Sequence, residues 1–288
     1  MTEAASALAG LAEIAGNYDA LLCDVWGVVH NGVAAHPTAV EGLLAYRRAG
    51  GRVVLITNAP RPAAPLIAML DGMGVPREMF DALISSGDTT RVMIAPYRGR
   101  VVHHFGPPLV DDALYEGLGV IRGPASEAEV VVVTDMPDDD DTPDMYADEM
   151  AFWLSRRLPM ICANPDKLVE HGDKMVYCGG AMADIYEQLG GEVRMAGKPY
   201  RPIYEEAKKL ADSAAGRVIE QTRLLCIGDS VRTDATGAGT FGADLLFITG
   251  SIHAGDLGDF DAPDPAAVEA LVAPSGARLV GFMPRLAW

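Results

Sequence analysis

The chain has 288 residues, 49% of them hydrophobic and 22% charged, which is enough to bury one large core or two ordinary ones. Its net charge of −17 speaks against nonspecific binding to nucleic acid or to an anionic membrane, both of which need clustered Lys and Arg. Residues 2–16 carry Glu3 and Glu13 and lack the basic start and unbroken apolar centre of a secretion signal, and no long uncharged apolar window follows. The expected compartment is the cytoplasm, with no membrane partner.

In chain order, the first apolar run, Leu21-Leu22-Cys23, reads as a strand stopping at Asp24. A helix is predicted over residues 37–49, with Pro37 in its first turn and Gly50-Gly51 after its end. Val54-Leu55-Ile56 reads as a second strand, running into Thr57-Asn58, and residues 60–73 as the helix after it. Leu83-Ile84 stops at Ser85; a helix after Ser86-Gly87-Asp88 should reach about Ala95, where Pro96 ends it.

From Arg98 to Val193 the texture changes. Strand candidates at 101–105, 130–133 and 160–163 are separated by Pro, Gly and acid-rich turns, the pattern of a second unit inserted in the first. The four carboxylates Asp138 to Asp141 read as a solvated loop, since a calcium loop needs alternating ligands and a defined glycine. The first texture resumes at Gly197-Lys198-Pro199, continues through a helix over 203–215, and reaches Leu225-Cys226-Ile227, which stops at Gly228-Asp229. The expected domains are therefore 1–97 with 194–288, and an inserted 98–193 that hinges near Arg98 and Val193. Cys23, Cys162, Cys178 and Cys226 are widely spaced, and buried thiols suit them better than zinc or disulfides.

Strand alternating with helix predicts a doubly wound, Rossmann-like α/β sheet. Continuous apolar runs belong to strands buried on both faces of a parallel sheet, whose ligand crevice lies outside the carboxyl ends. The polar stops should meet there, making Asp24 and Asp229 a metal-binding pair. Asp24 has two readings: a carboxylate that attacks phosphorus to form an aspartyl-phosphate, or a strand-end residue capping a turn. Asp229 and Asp234, five residues apart, offer oxygen ligands for Mg²⁺. Thr57-Asn58 provides a hydroxyl, an amide and backbone N–H groups for an anion. Lys198 is either the cation that an acidic protein needs for phosphate or a surface lysine before a proline turn.

Taken in order, Asp24 to Val28, Thr57-Asn58, Lys198, and Gly228-Asp229 with Asp234 resemble the four motifs of the haloacid dehalogenase superfamily. Ala163-Asn164-Pro165-Asp166, Gly179-Gly180 and Gly197-Lys198-Pro199 resemble its class IIA branch, which carries a large α/β cap of the C2 type. That resemblance implies a phosphoric monoester hydrolase acting on a small phosphorylated metabolite, with a homodimer through the cap as a family-level expectation. It implies Asp24 as nucleophile, and Mg²⁺ held by Asp24, the Trp26 backbone carbonyl and Asp229, with Asp234 behind them. Thr57, Asn58 and Lys198 would hold the transferring phosphoryl, while Asn164 and Asp166 would sit on the cap loop over the substrate.

Family phosphatases carry a second aspartate two residues after the nucleophile, the acid that protonates the leaving oxygen; here that position is Trp26. Three outcomes follow: a phosphatase whose proton comes from elsewhere, such as His30, His103 or His104; a hydrolase whose leaving group needs no acid; or a binding or regulatory protein without turnover. Trp26 is then a wall for a planar ligand or simply core filling.

Overall fold

A computed structural model describes residues 6–107, 112–171 and 174–288 of the chain. The expectation for residues 2–5 lies outside the described residues. The elements run β1 (Ala20–Asp24), α1 (Pro37–Arg48), β2 (Arg52–Thr57), α2 (Ala63–Gly72), β3 (Ala82–Ser85), α3 (Ser86–Ile94) and β4 (Val101–Phe105). They continue through β5 (Ile121–Arg122), β6 (Val130–Val133), α4 (Ala147–Ser155), β7 (Met160–Cys162), β8 (Leu168–His171), β9 (Lys174–Tyr177), α5 (Gly179–Gln188) and β10 (Val193–Met195). The last stretch holds α6 (Arg201–Ala215), β11 (Leu224–Gly228), α7 (Thr236–Phe241), β12 (Asp244–Ile248), α8 (Pro265–Val272) and β13 (Arg278–Met283).

The fold divides into two compact units, the first made of Met1–Thr57, Ile67–Ile84 and Lys198–Trp288, the second of Asn58–Leu66 and Ser85–Gly197. Helix α3 and the Gly197 turn thus group with the second unit, whereas the sequence placed both in the first.

The first unit is built on a six-stranded sheet of order β13-β12-β11-β1-β2-β3. Strand β1 lies between β11 and β2 and is parallel to both, pairing Cys23 with Ile227 on one side and Asp24 with Ile56 on the other. All five residues of β1, β11 and β12 are buried, as expected for strands covered on both faces. Leu22, Val54, Ile56, Cys226 and Phe247 pack with Ile203, Tyr204 and Ala207 of α6 in one core. At about 1.5–3 kcal/mol per large apolar side chain, this packing locks the register that sets where the strand ends fall.

The second unit has a five-stranded parallel sheet of order β10-β7-β6-β4-β5 and an antiparallel hairpin of β8 and β9. Its main core gathers Val131, Val133, Met160, Trp153, Met182 and Tyr186.

Two helix starts differ from the sequence reading for local reasons. Helix α2 begins at Ala63 rather than at residue 60, because Pro62 disfavours helical geometry at Arg61. Helix α3 begins at Ser86, before the expected Ser-Gly-Asp turn is complete, because Ser85 and Asp88 form a reciprocal cap: Asp88 N–H donates to Ser85 Oγ at 3.0 Å and Ser85 N–H to Asp88 Oδ2 at 3.0 Å.

Candidate active site

Asp24, Asp229 and Asp234 are all buried and present carboxylate oxygens within 4.8 Å of one another. Parallel pairing of β1 with β11 causes this, since both chains leave the sheet on the same edge, one after Asp24 and the other after Gly228. Lys198, only 2% exposed, places Nζ 2.6 Å from Asp24 Oδ1 and 2.7 Å from Asp234 Oδ1. Asp24 and Asp234 therefore share one buried ammonium, with Asp229 close beside them.

Two glycines make the crowding feasible. Gly27 has φ +85°, and a Cβ there would fall 2.1 Å from Asp229 Oδ2; a Cβ on Gly228 would fall 2.2 Å from Asp234 Cγ. The backbone after β1 thus turns tightly against a carboxylate of the neighbouring strand. Past β11, Ser230 caps a π-helical turn over Val231–Ala235 by accepting from Thr233 N–H at 3.3 Å. Such widened turns recur at functional sites. Here it returns Asp234 toward the strand end, where its Oδ2 accepts from Ser230 N–H at 3.2 Å.

The electrostatics follow from burial. Desolvation first, and then the Asp234 and Asp229 charges, push Asp24 well above the usual carboxylate range, while Lys198 pulls it back. A buried set of hard oxygen donors with more negative than positive charge fits a divalent cation such as Mg²⁺, which prefers carboxylate ligands. The seat vacated at Gly27 lets Asp229 into that set.

Thr57, the last residue of β2, is buried one position beyond the Asp24–Ile56 pairing. The other residues singled out in the sequence meet within the second unit. Asn58 Nδ2 donates to Asp166 Oδ1 at 3.0 Å, Asp166 N–H donates to Asn164 Oδ1 at 3.1 Å, and Asn164 Nδ2 lies 3.2 Å from each oxygen of Asp135. Gly179 N–H also donates to Asp135 Oδ1, at 3.1 Å. Asp135 was not among the candidates, although the four-valine strand β6 stops at Thr134-Asp135 just as β1 stops at Asp24.

The three histidines considered as proton sources have structural engagements. His30 is 1% exposed, its Nδ1 accepts from Gly32 N–H at 2.8 Å, and its ring meets Trp26 edge-on with centroids 5.1 Å apart. Burial lowers its pKa to about 4, so near neutrality it is an uncharged ring with its proton on Nε2, a poor acid. His103 Nδ1 lies 3.1 Å from the Gly123 carbonyl and His104 Nδ1 2.8 Å from the Tyr115 hydroxyl, both in the second unit. All four cysteines are free and buried. Among the described residues, no helix is long and apolar enough to cross a membrane.

A parallel α/β sheet bearing clustered acids at its carboxyl edge defines a hydrolase-type Rossmann-like core, and comparison with known proteins gives the family. The chain belongs to the haloacid dehalogenase-like hydrolases, as its motif order implied. Residues 21–119 match the model of the haloacid dehalogenase-like hydrolases and residues 195–273 a second one, HAD-hydrolase-like. A hydrolase of the haloacid dehalogenase-like family from Brucella suis 1330 is 40% identical, with TM-score 0.86 over 96% of this chain and 98% of that one. Two more distant structures share the fold. A possible sugar phosphatase from Cytophaga hutchinsonii is 20% identical, with TM-score 0.77, 96% of this chain and 97% of that one covered. A glycerol phosphate phosphatase from Mycobacterium tuberculosis, in complex with magnesium, is 23% identical, with TM-score 0.61, 83% and 70% covered. No curated protein sequence matches.

Proposed function

We propose that this protein is a Mg²⁺-dependent phosphatase-type hydrolase of small phosphorylated metabolites, working through an aspartyl-phosphate on Asp24. The observation that carries this reading is the cluster of three buried carboxylates around one buried lysine. The phosphatase names and the magnesium of the distant structures point the same way.

Asp24, the Trp26 backbone carbonyl and Asp229 would hold the ion, with Asp234 behind them. When bound, Mg²⁺ supplies neutralising charge for the phosphate. Asp24 forms the new O–P bond as the bond to the leaving oxygen breaks, and the leaving oxygen keeps the electron pair. Water then cleaves the aspartyl-phosphate and restores Asp24. Lys198, with Thr57 and Asn58, holds the phosphoryl oxygens, and Lys198 also keeps Asp24 oriented through its 2.6 Å hydrogen bond. The inserted unit, with Asn164 and Asp166, selects the substrate.

The leaving oxygen needs a proton unless it is a weak base, and position 26 offers an indole where an acid would serve. With His30 uncharged beside it, the reading narrows to substrates whose leaving group departs as a stable anion. A positioned acid is worth roughly 10²–10⁴-fold, so alkyl phosphates should turn over slowly.

One experiment tests both levels. Release of nitrophenolate from p-nitrophenyl phosphate with Mg²⁺ should be measurable and should disappear in Asp24→Asn, while Trp26→Asp should raise turnover of an alkyl phosphate about tenfold or more. A wild type that binds phosphate but releases no nitrophenolate above the Asp24→Asn level would make the protein a binding or regulatory member instead.

A further inference from the structure

Asp135 has no part in the proposed chemistry, yet it anchors a line of partly buried polar groups that ends at Asn58. Its carboxylate can only accept, so Asn164 must turn Nδ2 toward it, and the same amide then has only Oδ1 to offer to Asp166 N–H. Asp166 likewise can only accept, so it draws Nδ2 of Asn58 toward itself and turns Oδ1 the other way. The Oδ1 side lies against Gly197, which has φ +83° and where a Cβ would fall 2.5 Å from Asn58 Oδ1. Each amide in the line donates to a carboxylate, and Asp135 also accepts from Gly179 N–H.

We propose that Asp135 is a positioning residue for substrate phosphate, fixing the Asn58 amide through Asn164 and Asp166. The proposal rests on the reading of Asn58 as a phosphoryl ligand. Fixed orientation matters because an amide that flips presents an oxygen to an anion, which repels it, whereas the locked amide gives one Nδ2 hydrogen to Asp166 and keeps the other for the phosphate. Asp135 touches neither substrate nor metal, so its loss weakens binding rather than the bond-breaking step.

The test is a double-mutant cycle in the full-length enzyme with Mg²⁺ and p-nitrophenyl phosphate. Asp135→Asn replaces one accepting oxygen with an amino group that faces the donors of Asn164 and Gly179. It should raise KM about tenfold and leave kcat within about threefold. Asp166→Ala should also raise KM, and the double variant should be no worse than the poorer single one, because both cut the same line. Asp135→Ala, which removes the acceptor without setting a donor against Asn164 Nδ2, must give the same KM shift, which decides the matter if Asp135→Asn fails to fold. Additive KM effects, or lowered melting temperature with KM unchanged, would overturn the proposal. Wild type no more active than Asp24→Asn would instead overturn the functional reading on which it stands.

Discussion

Two polar clusters, one half-buried and one fully buried, place their carboxylates in opposite ways. In the relay of Asn58, Asp166, Asn164 and Asp135, each carboxylate is met by amide hydrogens and the groups satisfy one another. In the cluster of Asp24, Asp229, Asp234 and Lys198, Asp24 and Asp234 share the lysine with Asp229 close by, and burial first, then the neighbouring charges, raises the Asp24 pKa. A relay that closes on itself holds shape. A cluster with three buried carboxylates so close together suits a cation, as the proposed reading requires, because crowding buried carboxylates costs several kcal/mol.

The largest test of that contrast removes the lysine shared by Asp24 and Asp234. Lys198→Met should destabilise the metal-free protein by about 3–5 kcal/mol in urea melts, since it strands two carboxylates. It should also cut turnover by about 10²-fold or more. Added Mg²⁺ should restore a good part of the lost stability, and an unchanged urea midpoint would mean that the surplus charge is not felt. A smaller effect comes from His30, the uncharged neighbour of Trp26. Burial holds its folded pKa at about 4, below its ordinary value of 6.5, so the unfolded chain takes up a proton that the folded chain resists. Stability should therefore fall as pH drops from about 6.5 toward 4, by about 3 kcal/mol. His30→Asn should flatten that part of the urea-midpoint profile. The smallest effect is expected from Gly27→Ala, where positive φ adds about 1–2 kcal/mol and the new Cβ displaces Asp229. Half-maximal activity should then need about tenfold more Mg²⁺; unaltered Mg²⁺ dependence would mean that Asp229 lies outside the ion's reach.

Strand ends were the legible part of this molecule. Leu21 to Cys23, Val54 to Ile56 and Leu225 to Ile227 announce buried strands by composition alone, and parallel pairing then brings Asp24 and Asp229 together. Val130–Val133 carries the same signal and stops at Thr134-Asp135. What no pattern carries is direction within a polar group. That Asn58 donates to Asp166, 108 residues away, depends on side-chain orientation and has no period or spacing. Neither was the grouping of α3 visible, because a helix cap fixes where a helix starts and not which core it joins.

The placement of β1 between β2 and β11 has a consequence during synthesis. A ribosome-held chain that has not yet delivered Leu224–Gly228 leaves one side of β1 with bare N–H and C=O groups, an adhesive edge open to other nascent chains. Closing that edge and assembling the acid cluster are then one event in time: before it the nascent sheet is vulnerable, and only after it do Asp24 and Asp229 stand together.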